Sequence, residues 1–486
     1  MKTILTFFSA LLPIALLASQ PNIVFLLSDD QSWSGLSVAM HDQVPESKGD
    51  LFHTPNLEKL AAQGMRFSAA YSPASVCSPT RMSLQTGKSP ARMRWTKAAP
   101  TMRAEDGFKL IPPAINKNLS TDEVTIAEML KTAGYATAHY GKWHLAGDGP
   151  GKHGYDEHDG DTGNKDAAPF KDPNPVDIFG MGRRANAFME KSVKTGKPFF
   201  IQLSYHALHY PENAFEETKQ KYLGANGGRD DKRILRAAIT EDLDTGVGLL
   251  MDDIERLGIG GNTYLIYMAD NGASGGGGKK GGLRGGKGGV WEGGIRVPLI
   301  IRGPGVKPNS FCHSPVVGYD FFPTFCKIAG VKQALPEGIE GGSILPLLAT
   351  GKGEVKRPRE ELVFHFPHYQ GDTPHSAILL GNFKMMKFYE TGKLSLFDLS
   401  KDLFERNDLA ASMPDETARL HDRLNLYLDQ VGAELPKANS KYDPANPPEM
   451  SKAKGKKGNK GGGKKGGKDG KGGGKKGGKG ELDKAK

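Results

Sequence analysis

The sequence predicts one large α/β domain, then a smaller C-terminal α+β subdomain of antiparallel sheet plus helix. Three observations carry this. The runs Asn22–Leu27, Pro198–Tyr205 and Thr263–Ala269 are short and almost continuously apolar, the pattern of strands buried on both faces. Stretches of helical length separate them, and strand–helix alternation builds a parallel sheet. Near residue 355 the composition turns charged and Pro-containing (Lys356-Arg357-Pro358-Arg359), and shorter strand-like runs follow.

Taken in order, Asn22–Leu27 is a strand that stops at Ser28-Asp29-Asp30. Leu57–Gly64 is an amphipathic helix closed by glycine, and Met65–Tyr71 is a strand leading to Cys77. Met82-Ser83-Leu84 starts a helix whose N-terminus sets Cys77 and nearby N–H groups against an anion. Thr121–Thr132 is a helix opening on Asp122 and Glu123; Tyr135–Tyr140 is a strand delivering Gly141-Lys142-Trp143-His144-Leu145. Residues 160–180 should be irregular, and Arg184–Lys194 is a helix. The strand Pro198–Tyr205 delivers His206-Ala-Leu-His209-Tyr210-Pro211. Arg233–Leu257 is a long helix whose acids Glu241, Asp242 and Asp244 face solvent or cap neighbours. Thr263–Ala269 ends at Asp270-Asn271-Gly272, Val297–Arg302 is a strand, and Tyr319-Asp320 opens a helix ending at Gly330. Leu362–Phe366, Ser376–Leu380, Phe383–Tyr389 and Leu394–Leu399 are short strands, closed by the helix Glu416–Val431.

The chemistry-bearing residues fall at the carboxyl ends of these strands, where open α/β sheets bind ligands. Adjacent carboxylates such as Asp29 and Asp30 repel each other, and a divalent cation relieves that repulsion; a helix cap beside a solvated acid is the plainer alternative. Asp270-Asn271-Gly272 alone could be a turn, but after such a strand it reads as the second half of the cation site. All-oxygen ligation selects Ca²⁺ first and Mg²⁺ second, over zinc. Lys142 offers positive charge and His144 a base near neutral pH, against the plainer readings of surface lysine and core histidine. His153 and His158 are candidate substrate contacts only, and His206 is either a partner of the site or structural. The glycine-rich loop Ser274–Gly289 is no phosphate-binding P-loop, because its Gly-Lys is not followed by Ser or Thr.

The two ends are different in kind. Lys2, the apolar run Ile4–Leu17 and the small residues Ala18 and Ser19 read as a signal peptide, too short to favour a membrane span. The expected location is therefore periplasmic, or secreted and extracellular. Residues 451–486 hold 14 lysines against Asp469, Glu481 and Asp483, a balance of +11. The whole chain carries +10, so the first 450 residues are near neutral at about −1. Lysine–glycine low complexity cannot bury a core; it is a solubilising extension, or it adheres weakly to polyanions. With no aromatic residue to stack on bases, the tail excludes specific nucleic-acid recognition. The organisation expected is signal peptide 1–19, catalytic domain 20–355, α+β subdomain 356–436 and disordered tail 437–486. Of the cysteines Cys77, Cys312 and Cys326, the last two form either one disulfide or two buried thiols.

Five segments then fall into one order: Cys77-Ser78-Pro79-Thr80-Arg81 with Leu84, Thr86 and Gly87; Gly141–Leu145; His209 two residues before Pro211; Leu283–Gly288 with Trp291–Pro298; and Leu396–Asp402. Over roughly residues 21–430 the chain resembles the type I, formylglycine-dependent sulfatase family, of the arylsulfatase and N-acetylgalactosamine-sulfatase kind. The resemblance implies an α/β fold with an alkaline-phosphatase-like doubly wound mixed sheet flanked by helices, and hydrolysis of sulfate esters of a sulfated sugar or aryl alcohol. It implies that a formylglycine-generating enzyme converts Cys77 to 3-oxoalanine, whose hydrate attacks sulfur. It implies a cation on Asp29, Asp30, Asp270 and Asn271, with residue 77 joining the ligands. Arg81 would hold the hydrate, Lys142 and Lys287 the sulfate oxygens; His209 would act as general acid and His144 as base. Lys88 departs from the family's arginine and keeps the charge but not the planar fork. A phosphate mono- or diester hydrolase on the same scaffold, or a catalytically silent polyanion-binding protein, are the alternatives.

Overall fold

The computed structural model describes residues 20–99, 101–225, 232–274 and 282–449. The expected signal peptide and the lysine–glycine tail from 451 onward lie outside the described residues. Residues 437–449, assigned above to the tail, are described: Lys437–Ala438 pairs antiparallel with Leu110–Ile111, and Asn439 is buried.

The main sheet runs in the order Ser310–Cys312, Met65–Phe67, Leu299–Arg302, Thr263–Ala269, Asn22–Ser28, Phe199–Ser204, Ala136–Gly141, Glu157–His158. Only Leu299–Arg302 runs against the rest, so the sheet is mixed. Alternate residues of the central strand face two cores. Ile23, Phe25 and Leu27 pack with the helices Ile126–Thr132 and Phe321–Ile328. Val24 and Leu26 pack with Pro55–Gln63, Ile178–Thr195 and Lys232–Arg256 on the opposite face. That two-sided burial is why the strands lack polar alternation.

The element boundaries depart from the sequence reading in four places. Met65–Tyr71 is two strands, because Ala70–Tyr71 leaves the main sheet to pair with Val316–Val317. The helix expected at Met82 begins at Cys77 and runs to Thr86; Pro79 sits in its first turn, where the missing N–H costs nothing. The helix expected at Thr121 begins at Ile126, after a capping box in which Thr125 and Glu128 satisfy each other's backbone N–H groups. The helix expected at Arg184 begins at Ile178, where Asn174 Oδ1 accepts from the Phe179 and Gly180 N–H groups. Asp242 and Asp244 do cap neighbours: Asp242 accepts from Phe215 N and Thr218 Oγ1, and Asp244 from Asn56 N and Leu57 N.

The C-terminal sheet is antiparallel in sequence order, Leu362–Phe366, His375–Leu380, Phe383–Phe388 and Leu394–Asp398. Val363, Ile378, Met385 and Leu396 pack under the helix Pro414–Gln430. The other face, including Phe364, Ala377 and Met386, docks on Tyr71, Trp291 and Ile295 of the main body. Cys312 and Cys326 are free thiols buried in the core, the second of the two alternatives.

Gly141 closes the strand Ala136–Gly141 with φ +87°, and a Cβ there would lie 2.2 Å from the Ser204 carbonyl oxygen and 2.4 Å from Met181 Sδ. Gly141→Ala is therefore expected to cost roughly 2–4 kcal/mol from strain and overpacking. Urea denaturation checks this, and an unchanged midpoint would count against it.

Candidate active site

Four adjacent parallel strands release their functional residues at one edge of the sheet. Register fixes the neighbours: Ser28 lies opposite Ala269, so Asp29 follows beside Asp270, and Asp270 N donates to Ser28 O (2.9 Å). On the other side, Asp29 N donates to Ala207 O (2.7 Å) and Lys142 N to Ser204 O (2.7 Å). Two site residues pay local backbone strain: Asp30 (φ 55°) and His144 (φ 60°) lie in the left-handed region.

Asp29, Asp30 and Asp270 are all buried and each presents an oxygen within 4.8 Å of the others. Asn271 Nδ2 donates to Asp30 Oδ1 (2.7 Å), and Ser274 Oγ donates to Asp30 Oδ2 (3.2 Å). Asp29 Oδ1 and Asn271 Oδ1 are buried and find no hydrogen-bond partner among the described residues. Orphaned buried oxygens are costly, and a hard cation among them is what this donor set fits. The described residues thus bring Asp29, Asp30, Asp270 and Asn271 together. Cys77 Sγ falls outside the carboxylate group.

Three cations face these three carboxylates. Lys142 Nζ pairs with Asp29 Oδ2, Lys287 Nζ with Asp30 Oδ1 (2.5 Å), and Arg81 donates through Nε (3.1 Å) and Nη2 (2.8 Å) to Asp270 Oδ2. Arg81 Nη1 also donates to Lys142 O (2.6 Å), tying the Cys77 helix to the next strand end. Burial works against the Asp29 carboxylate, but Lys142, then His209 and Arg81, outweigh it and hold its pKa well below the usual range. For Asp270, burial and the Asp29 charge win, pushing it up to about 8.

Cys77 is the first residue of its helix and is buried; its Sγ lies 3.5 Å from His144 Nδ1. Burial disfavours the thiolate, yet Lys142 and Lys287 bring the thiol below its ordinary pKa. Burial, with Lys142 and Arg81 nearby, pushes His144 down to about 3, so its imidazole is neutral near pH 7 and is a weaker base than the sequence reading expected. His209 Nδ1 is held by Tyr210 O (2.7 Å), and among the described residues Nε2 has no partner. His206 is buried, pushed down to about 4 by burial and Lys142.

The structure also separates residues that the sequence left together. His153 is a core residue, 2.9 Å from Gly147 O through Nε2 and stacked on Trp143. His158 lies on the edge strand Glu157–His158. Sequence reasoning missed Thr162, whose backbone oxygen accepts from His144 N (2.8 Å) and whose Oγ1 accepts from Trp143 N (3.1 Å), fixing the turn that carries Lys142 and His144. It also missed the cavity beside Cys77, about 480 Å³, lined by Ser78, Trp95, Lys117, His144, Asn164 and Lys165. Of these, Trp95, Lys117, Asn164 and Lys165 come from separate loops with no local motif. Lys88, the departure noted above, donates to Glu123 Oε2 (2.6 Å).

A family model described as sulfatase matches residues 21–331, and one described as the N-sulphoglucosamine sulphohydrolase C-terminal region matches residues 286–432. The chain belongs to the sulfatase family. This sulfatase is 30% identical to arylsulfatase A of Bos taurus over 82% of its own chain and 85% of the relative. It is 27% identical to the ulvan-active sulfatase of Formosa agariphila over 86% and 83%. The crystal structure of Ps i-CgsB in complex with k-i-k-neocarrahexaose shares its fold, with a TM-score of 0.69, 24% identity and coverage of 84% and 93%. The sulfatase is accordingly a sulfuric ester hydrolase, and the mixed α/β sheet with its C-terminal antiparallel sheet follows the expected architecture.

Proposed function

We propose that this sulfatase acts on sulfated carbohydrate through a formylglycine made from Cys77, with Ca²⁺ held by Asp29, Asp30, Asp270 and Asn271. The observation that carries this reading is the convergence of Cys77, His144, Lys142 and Lys287 on the carboxylate group at one sheet edge. The names of two similar proteins, an ulvan-active sulfatase and one solved with a neocarrahexaose, favour a sugar substrate. The apolar leader supports action outside the cytoplasm.

In this scheme one hydroxyl of the hydrated aldehyde at residue 77, its proton released to solvent under the pull of the Lys142 and Lys287 charges, attacks sulfur, and the helix N-terminus beneath it favours the anionic reactant. Arg81, locked by Asp270 and the Lys142 carbonyl, positions the hydrate. Lys142 and Lys287 stabilise charge on the transferring sulfate oxygens. His209, protonated at Nε2, gives its proton to the leaving alcohol as the S–O bond to the sugar breaks. His144 takes the proton of the second hydroxyl, so the C–O–S link breaks, sulfate leaves and the aldehyde returns. When bound, the cation supplies electrostatic polarisation of the sulfate ester.

The rival, phosphate-ester hydrolysis on the same scaffold, predicts the opposite substrate ranking. With 4-nitrophenyl sulfate and 4-nitrophenyl phosphate as paired substrates, kcat/KM is expected to be higher for the sulfate; a higher value for the phosphate would overturn the reading. Chelation with EDTA is expected to remove activity, and Ca²⁺ to restore it better than Zn²⁺, since the ligand atoms are all oxygen. Full activity after exhaustive chelation would contradict the cation assignment.

A further inference from the structure

Among the described residues outside the active site, one cluster has donor chemistry of another kind. His41 and Asp42 lie between the first strand and the helix Pro55–Gln63, and His313 follows the edge strand Ser310–Cys312. Each offers one ligand atom, and the three atoms lie within 4.8 Å of one another. His41 Nδ1 is 3.2 Å from Asp42 Oδ1, and His313 Nε2 is 3.6 Å from that same oxygen. Tetrahedral zinc with bonds of about 2.0–2.2 Å sets its ligand atoms about 3.3–3.5 Å apart, so both separations straddle a tetrahedral edge. The two imidazole rings stand 4.9 Å apart.

The surroundings hold these side chains in place. Ser68 Oγ lies 2.8 Å from His313 Nδ1, so the ring's other nitrogen is left to turn toward Asp42, as outer partners of metal-bound histidines do. The His313 ring also stacks on Phe311, with planes 2° apart. Ser47 Oγ accepts from His41 N (3.1 Å) and donates to His41 O (3.2 Å), bracing the loop. Two features compete with a metal: Gln43 N donates to His41 Nδ1 (3.0 Å), and the positive charges of Arg66 and Arg296 act on Asp42 and His41. Binding must displace that one hydrogen bond; Arg66 is already engaged over the Phe311 ring and by Asn309 Oδ1.

We propose that His41, Asp42 and His313 form a second metal site, for a borderline transition ion of the Zn²⁺ class, with water in its fourth position. Imidazole nitrogen separates it in selectivity from the all-oxygen group at the active site. Asp42 and His313 are 41% and 49% exposed, which leaves the fourth position open to solvent. The ion would fasten the loop after the first strand to the edge of the main sheet, a structural rather than catalytic role.

The test uses the full chain, stripped of metal, saturated with Ca²⁺ and titrated with Co²⁺ as a spectroscopic stand-in for Zn²⁺. The wild type is expected to develop tetrahedral Co²⁺ absorption with one equivalent, and Zn²⁺ to raise its melting temperature. His313→Ala should lose both responses. Asp42→Asn, a conservative exposed change that keeps the fold, should weaken Co²⁺ binding at least about tenfold. Aryl sulfatase activity should be unchanged in both variants. A Co²⁺ spectrum and Zn²⁺ thermal shift in His313→Ala and Asp42→Asn equal to the wild type would overturn the proposal.

Discussion

Cys77→Ala is expected to abolish sulfate-ester turnover, lowering kcat by about 10⁴-fold or more, because removing a covalent nucleophile leaves only binding and charge stabilisation. The fold should survive. Cys77 is a small buried side chain at the start of a helix that Arg81 fastens to Asp270 and to the Lys142 carbonyl, and none of those bonds uses the sulfur. The alanine leaves a void of one atom, a cost of order 1 kcal/mol. Steady-state kinetics and a melting curve on one preparation check both halves: turnover at the wild-type level would refute residue 77 as nucleophile.

Lys384→Met is expected to be the most destabilising single change in the C-terminal sheet, by about 3–5 kcal/mol, the range for removing one partner of a buried ion pair. Lys384 is fully buried on the strand Phe383–Phe388, 2.8 Å from Glu292 Oε1 and 2.8 Å from Glu405 Oε1. Glu292 keeps Arg296 Nε (2.6 Å) and the Tyr71 hydroxyl (3.1 Å), but Glu405 would lose its cation. Burial already pushes Glu405 up to about 7, against the pull of Lys384 and with the Glu292 charge adding to the rise. A carboxyl whose pKa is raised by folding favours the folded state while protonated and loses that contribution as pH rises through the folded pKa. The deficit should therefore be larger at pH 8 than at pH 6, and urea melts at both values check it. A loss under about 1 kcal/mol at pH 8 would contradict the account.

That network also bears on the active site. Arg284 donates to Glu405 O (2.8 Å) and lies over the Trp291 ring, so the clamp steadies the loop that presents Lys287. Nothing in the sequence pointed to it. Lys384 and Glu292 are 92 positions apart, and a lone lysine in a strand of mixed polarity carries no mark of burial. The strands, by contrast, were legible because two-sided burial makes their interiors, Ile23–Leu27 and Tyr264–Ala269, continuously apolar or aromatic and leaves acids just past their ends. The placement of Asp29, Asp30, Asp270, Lys142 and His144 at one edge follows from that arrangement. The helix start at Ile126 was also written in the chain, as Thr125 and Glu128 in capping-box spacing, and was obscured by the acids Asp122 and Glu123 before it. The cavity wall stayed hidden because Trp95, Lys117 and Asn164 are brought together only by loop packing.

The central claim is that residue 77 is no longer a cysteine in the working enzyme. The direct measurement is the mass of the tryptic peptide Phe67 to Arg81 from protein made in its own host. The account predicts a loss matching conversion of the thiol to an aldehyde at residue 77; an intact thiol in active protein would contradict it.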